Sequence, residues 1–217
     1  ISQLLKVCSE SAHQITAQQM KFFGQCFKDM NEVTAKSFKR YQTTTPRFHD
    51  HDRLALRVVQ HADEPINSCP SIHISYSVFL YNMSKYALNL PKENPTLWKE
   101  VDHVCTEMFN SVLYTKQHAC IDLSFGMAVA HKVFTKRFKN LPFDSMSAKL
   151  QSISSSHPEI QYKYVIKWYN YLVKEMNQGH KIVELVGRYL KAGGFKRVKV
   201  DGCKKYFDTR LKKPVSF

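Results

Sequence analysis

Between Leu4 and Tyr41 the apolar residues Leu4, Cys8, Ala12, Ile15, Phe22, Cys26, Met30, Val33, Phe38 and Tyr41 step mostly by three or four positions, with one seven-residue step across Gln18 and Gln19 and one of five from Val33 to Phe38. That is a helical period kept up over roughly ten turns. Strand side chains alternate between faces, so no sheet presents this pattern as one apolar side. The opening of the chain is therefore expected to be one long helix, with Gly24 as the place for a bend or break. Thr43-Thr44-Thr45-Pro46 ends it, because the residue before a proline disfavours the helical region.

Similar signals recur downstream. Asp52 is placed to cap a helix over Asp52 to His61, and Pro65 and Pro70 mark the following stretch as a loop. Ile72 to Leu90 is apolar enough for a strand plus a helix or for one buried helix. The step Val78, Tyr81, Lys85, Leu88 favours the helix. Asn94-Pro95 opens a helix through Leu97, Val101, Cys105 and Phe109, since Asn caps well and Pro is preorganised for the first helical position. A further helical run covers His118 to Phe138, and a separation from its predecessor at Thr115 to Gln117 stays open. After a turn over Asn140 to Asp144 come a short helix at Ser145 to Ile153 and an aromatic-rich helix from Pro158 to Gln178. In the latter, Ile160, Tyr164, Trp168, Tyr171, Leu172 and Met176 are expected on or near the main core face, with Tyr162, Lys163 and Tyr169 off it, either exposed as an interface or, as the preferred reading, on a second buried side. Gly179 stops it, and His180 to Ala192 runs to Gly193-Gly194.

The expected fold class is mainly α: an irregular bundle of seven or eight helices with a short C-terminal β-hairpin. Residues 1–193 form the helical domain, and 194–217 are a basic hairpin and tail packed on it or ordered by a partner. Lys196 to Val200 and Cys203 to Phe207 flank Asp201-Gly202, a pair suited to a type I′ turn. With 43% hydrophobic residues and few glycines or prolines, the 217 residues are enough for one core. No apolar run is long enough to span a bilayer. Ile1 in place of Met suggests a processed product or a fragment.

Charge narrows the partner. Residues 187–217 hold ten Lys or Arg against Asp201 and Asp208, a net +8 out of +14 for the whole chain. A field this concentrated asks for a polyanion. In the hairpin, Lys196, Val198 and Val200 would share one side and Arg197 and Lys199 the other, with Phe195, Tyr206 and Phe207 among the cations. Interleaved cations and rings suit phosphates and unpaired bases. A second cluster, His131, Lys132, Lys136, Arg137 and Lys139 with Phe134 and Phe138, lies on one expected helix. The candidate nucleic-acid-binding residues are Lys132, Lys136, Arg137, Lys139, Phe195, Lys196, Arg197, Lys199, Lys204, Lys205, Tyr206, Phe207, Arg210, Lys212 and Lys213.

Enzyme chemistry finds little purchase. The six cysteines show no C-x-x-C pair, and neither a phosphate loop, a nucleophile elbow nor an H-E-x-x-H motif occurs. His49 and His51 with Asp63 have metal-like spacing, but a site needs three converging ligands and only two have a defined relation. His118, Cys120 and Asp122 contain the ingredients of a thiol nucleophile, yet residues two apart on a helix point apart. Scattered thiols on apolar faces favour an intracellular, reducing compartment over disulfide-bonded secretion, against which the sequon Asn82-Met83-Ser84 is a weak counter-signal. The expectation is a non-enzymatic protein without cofactor or metal. It would bind nucleic acid, RNA above DNA, beside other protein subunits in a ribonucleoprotein assembly. The alternative is an assembly or adaptor protein docking on an acidic protein surface or an anionic membrane.

Overall fold

The computed structural model describes residues 16–43, 68–114, 118–156, 162–200 and 203–207. The described chain is mainly helical, with α1 Ala17–Arg40, α2 Ile72–Asn82, α3 Leu90–Glu93, α4 Pro95–Tyr114, α5 Cys120–Arg137, α6 Ser147–Ser156, α7 Tyr162–Asn177 and α8 Ile182–Ala192. A π-helical turn, Met83–Ala87, extends α2. No helix among the described residues is long and apolar enough to cross a membrane.

Helix α1 starts later than the apolar period suggests. Thr16 is extended, with φ −70° and ψ 154°, so helix does not run continuously from Leu4 to Tyr41. The Thr16 hydroxyl accepts from the Gln19 amide at 3.2 Å and the Gln19 side chain accepts from the Thr16 amide at 2.8 Å. This reciprocal capping box satisfies two amides that the first turn leaves without partners. Gly24 lies inside the helix and interrupts nothing.

Other boundaries follow local chemistry closely. The Asn94 side chain caps α4 by accepting from Leu97 N–H at 3.1 Å. Ala119 is extended (φ −86°, ψ 159°), which separates α4 from α5, and the Asp122 carboxylate accepts from its N–H at 2.9 Å. Gly179 (φ 94°) and Gly194 (φ 68°) take the left-handed backbone that ends α7 and α8. The Phe195 amide then closes α8 on Leu190 C=O at 3.0 Å.

Helix α5 is the axis of the fold. Ile121 to Ala130 is buried on every side, and α1, α2, α7 and α8 pack around it. Helix α2 is nearly as enclosed, which explains why its sequence reads as apolar all round. Asn82, at its end, has 0% exposure. Its amide donates to Val78 C=O at 2.8 Å and Asp144 C=O at 2.9 Å, while its Oδ1 accepts from Asp144 N–H at 2.6 Å. The sequon asparagine is thus a core hydrogen-bonding residue with no face left for a glycan.

Helix α7 turns a different side inward from the one its aromatic pattern suggests. Tyr162, Val165, Tyr169 and Leu172 are buried, while Tyr164 and Tyr171 are exposed. Rings surround this helix, so hydrophobicity alone does not set its phase. The hydroxyls do: Tyr162 donates to Asn110 Oδ1 at 2.6 Å, and Tyr169 meets His131 Nδ1 at 2.5 Å. A buried phenol needs such a partner.

The expected helix at Asp52 to His61, the loop residues before Ser68 and the group His49, His51 and Asp63 lie outside the described residues. So do the Asp201-Gly202 turn and residues 208–217.

Candidate nucleic-acid interface

The last two turns of α5 divide their side chains sharply. Val133 and Phe134 enter the core, with Phe134 stacked on Phe138 at 4.6 Å and edge-on to Phe79 at 5.9 Å. These rings hold helices together and offer no face to a base. On the outer side Lys132, Thr135 and Lys136, with His131, Met176 and Asn177, line an open depression of about 250 Å³.

Charge from two other parts of the chain acts on this side. Burial holds the Lys132 amine below its ordinary pKa, and the positive charges of Lys136, Lys181 and Lys36 push it the same way, with Glu184 opposing them. Lys36 lies on α1 and Lys181 precedes α8, so charge from two other segments acts on the lysine that, with Lys136, lines the depression. The positive charges around Lys132 outweigh the single opposing carboxylate of Glu184, and an anion lodged beside Lys132 and Lys136 relieves that repulsion.

The remaining expected residues separate into groups. Arg137 is committed to α1: its Nε and Nη2 donate to Asp29 Oδ2 at 2.8 and 2.5 Å. Burial raises the Asp29 carboxyl, but the Arg137 and Gln25 hydrogen bonds and the Arg137 charge outweigh it and leave its pKa below the ordinary value. Lys139 is exposed in the turn beyond α5, not on the helix. Phe195 rests against Tyr189 at 5.5 Å, fastening the C-terminal segment to α8. The side chains of Lys196, Arg197, Lys199, Lys204, Lys205, Tyr206 and Phe207, and all of Arg210, Lys212 and Lys213, lie outside the described residues.

No family model, curated protein or solved structure matches this chain.

The described thiols are poorly suited to nucleophilic chemistry. Burial raises Cys26 to about 11 and Cys105 to about 12. Cys69 is raised by burial and by the neighbouring Asp122 carboxylate, and half-buried Cys120 is raised by the same two causes. The thiolate fraction at neutral pH is small in each. Among the described residues no group of three or more His, Cys, Asp or Glu is arranged to hold a metal ion.

His131 connects the depression to the core and carries a pH prediction. Burial lowers its pKa, so the folded chain favours the neutral ring. The unfolded chain takes up that proton first, near the ordinary histidine value of about 6.5. The contribution of this site to stability is complete above that pH and declines as the pH falls toward the lower folded value. Urea midpoints taken from about pH 8 to about pH 5 are expected to fall more steeply for the wild type than for His131→Gln. Equal slopes would remove His131 from the acid response.

Two features escape a linear reading. The charges of Lys36 and Lys181 act on Lys132, yet both are far from it in sequence and each looks like an ordinary surface cation. The exposed stripe Tyr164, Lys167, Tyr171 and Lys174 was hidden by assigning its rings to the core.

Proposed function

We propose that this chain is a non-enzymatic, structural nucleic-acid-binding protein with a preference for RNA, a nucleoprotein or a component of a larger ribonucleoprotein assembly. The observation that carries this reading is the pair Lys132 and Lys136 lining one open depression, with the charges of Lys36 and Lys181 acting on Lys132, in a chain of net +14. Phosphates supply binding energy to such a surface without regard to base sequence.

The C-terminal residues 194–217 extend the interface as a basic hairpin and tail. Support comes from a backbone register in which Lys196–Val200 runs antiparallel to Cys203–Phe207, with Val200 opposite Cys203. That register leaves Asp201-Gly202 as the two-residue connection favoured in tight hairpins. Gln42 and Thr43, just after α1, stand opposite Lys205 and Tyr206. This keeps the hairpin near the helix that carries Lys36. Four described cysteines are unpaired, in keeping with a reducing, intracellular location.

Binding to oligouridine measured against salt tests the reading. A steep fall in affinity with salt is expected, and Lys132→Gln with Lys136→Gln should flatten the log-log slope by about 0.7 per lysine. Neutralising Lys204, Lys205, Lys212 and Lys213 should flatten it further. Unchanged slopes would remove these groups from the interface. No binding at low salt, or binding only to acidic protein or anionic vesicles, would overturn the reading in favour of an adaptor.

A further inference from the structure

Three described large apolar side chains are prominently exposed, and two of them, Tyr164 at 47% and Tyr171 at 43%, lie seven residues apart on α7. Seven residues is close to two helical turns, so both rings stand on one side. Trp168 lies between them, partly buried, its ring perpendicular to Tyr171 at 5.5 Å. From Trp168 the ring contacts continue inward to Tyr189 at 5.5 Å and from there to Phe195 at 5.5 Å. A chain of touching aromatic residues thus joins the outer face of α7 to the residue immediately before Lys196.

Cations fill the gaps in this face. Lys167 and Lys174 are exposed at three-residue steps from Tyr164 and Tyr171, and the Lys163 ammonium sits 5.3 Å from the Tyr164 ring. The acidic residue on α7, Glu175, is already bound by Arg188 at 3.0 Å, so it does not oppose an incoming anion. Rings alternating with lysines match a ligand that itself alternates flat apolar groups with negative charges. Single-stranded nucleic acid has that repeat; a duplex hides its base faces, and an acidic protein surface offers charge with little to stack.

We infer that the outer face of α7 is a stacking track for single-stranded nucleic acid, with Tyr164 and Tyr171 each receiving an unpaired base and Lys163, Lys167 and Lys174 holding the intervening phosphates. Trp168 and Tyr189 brace the exposed rings and lead the strand toward the basic C-terminal segment. This deepens the nucleic-acid reading and rests on it.

The test uses a Trp98→Phe background, in which Trp168 is the remaining tryptophan. Oligouridine is expected to quench or shift Trp168 emission, and an RNA duplex of equal length is not. Tyr164→Ala and Tyr171→Ala should each weaken oligouridine binding about tenfold while leaving duplex affinity and the salt slope unchanged. Tyr171→Phe should retain the single-strand affinity, since the ring stacks and the hydroxyl does not. Wild-type affinity in both alanine variants, or equal losses on single strand and duplex, would overturn the track while leaving phosphate binding by the lysine cluster in place. Loss of self-association with unchanged nucleic-acid affinity would instead make this face a contact between copies of the chain. If the unaltered protein binds neither nucleic acid at low salt, the parent reading fails together with the track.

Discussion

Replacing Gly126 by valine is expected to destabilise the fold by about 3 kcal/mol or more, because the added side chain has nowhere to go. A Cβ at this position meets the Ser71 carbonyl oxygen at 2.6 Å and Ile74 Cβ at 3.0 Å. The carbonyl is backbone at the start of α2, and it already accepts from the Ser75 N–H at 3.1 Å and the Ser75 hydroxyl at 2.8 Å. Relief would require α2 and α5 to separate, and that crossing lies at the centre of the core. Gly24 supplies the opposite case: its Cβ would meet nothing within 4 Å. Gly24→Ala is accordingly expected to raise stability by about 0.5 to 1 kcal/mol through helix propensity. Urea midpoints measure both. Equal behaviour of the two variants would mean that α2 and α5 do not approach this closely.

Asn82→Ala is expected to cost about 3 kcal/mol, from lost hydrogen bonds more than from lost volume. The substitution leaves the Asp144 N–H and C=O without the partners they hold at 2.6 and 2.9 Å. Those bonds position the Asp144 carboxylate, which accepts from Lys85 at 2.7 Å and from the Met146 N–H at 2.7 Å. Asn82→Leu separates the causes, since it restores volume but no hydrogen bond. It should remain nearly as unstable as the alanine variant; recovery to wild-type stability would assign the effect to packing. Acid should weaken the same junction. Burial raises the Asp144 carboxyl, but Lys85 and the Met146 N–H more than offset this and set it below its ordinary pKa. Its stabilising contribution is complete above the ordinary aspartate value of about 3.9 and is lost as pH falls through the lower folded value.

The success of the linear reading depended on where each signal resides. Asn94-Pro95, Gly179 and Gly193-Gly194 mark helix ends because capping and left-handed backbone involve only neighbouring residues. Thr16 and Gln19 carried an equally local signal, and the apolar period running through them masked it. Helix α7 shows the limit of periodicity. With aromatic residues on every side, either phase buries comparable area, and the choice falls to Asn110 and His131, which lie on other helices. The basic helix was recognised, yet the fates of its members diverged: Lys132 and Lys136 face the depression, while Arg137 is bound to Asp29.

Helical class, most helix ends and the net positive charge were properties of short stretches of chain, because backbone propensity, capping and net charge act locally or by simple addition. The inward face of α7, the pairing of Arg137 and the influence of the Lys36 and Lys181 charges on Lys132 were decided only by tertiary packing. They depend on which surfaces meet across α5, and distance in space between such residues is set by the whole core.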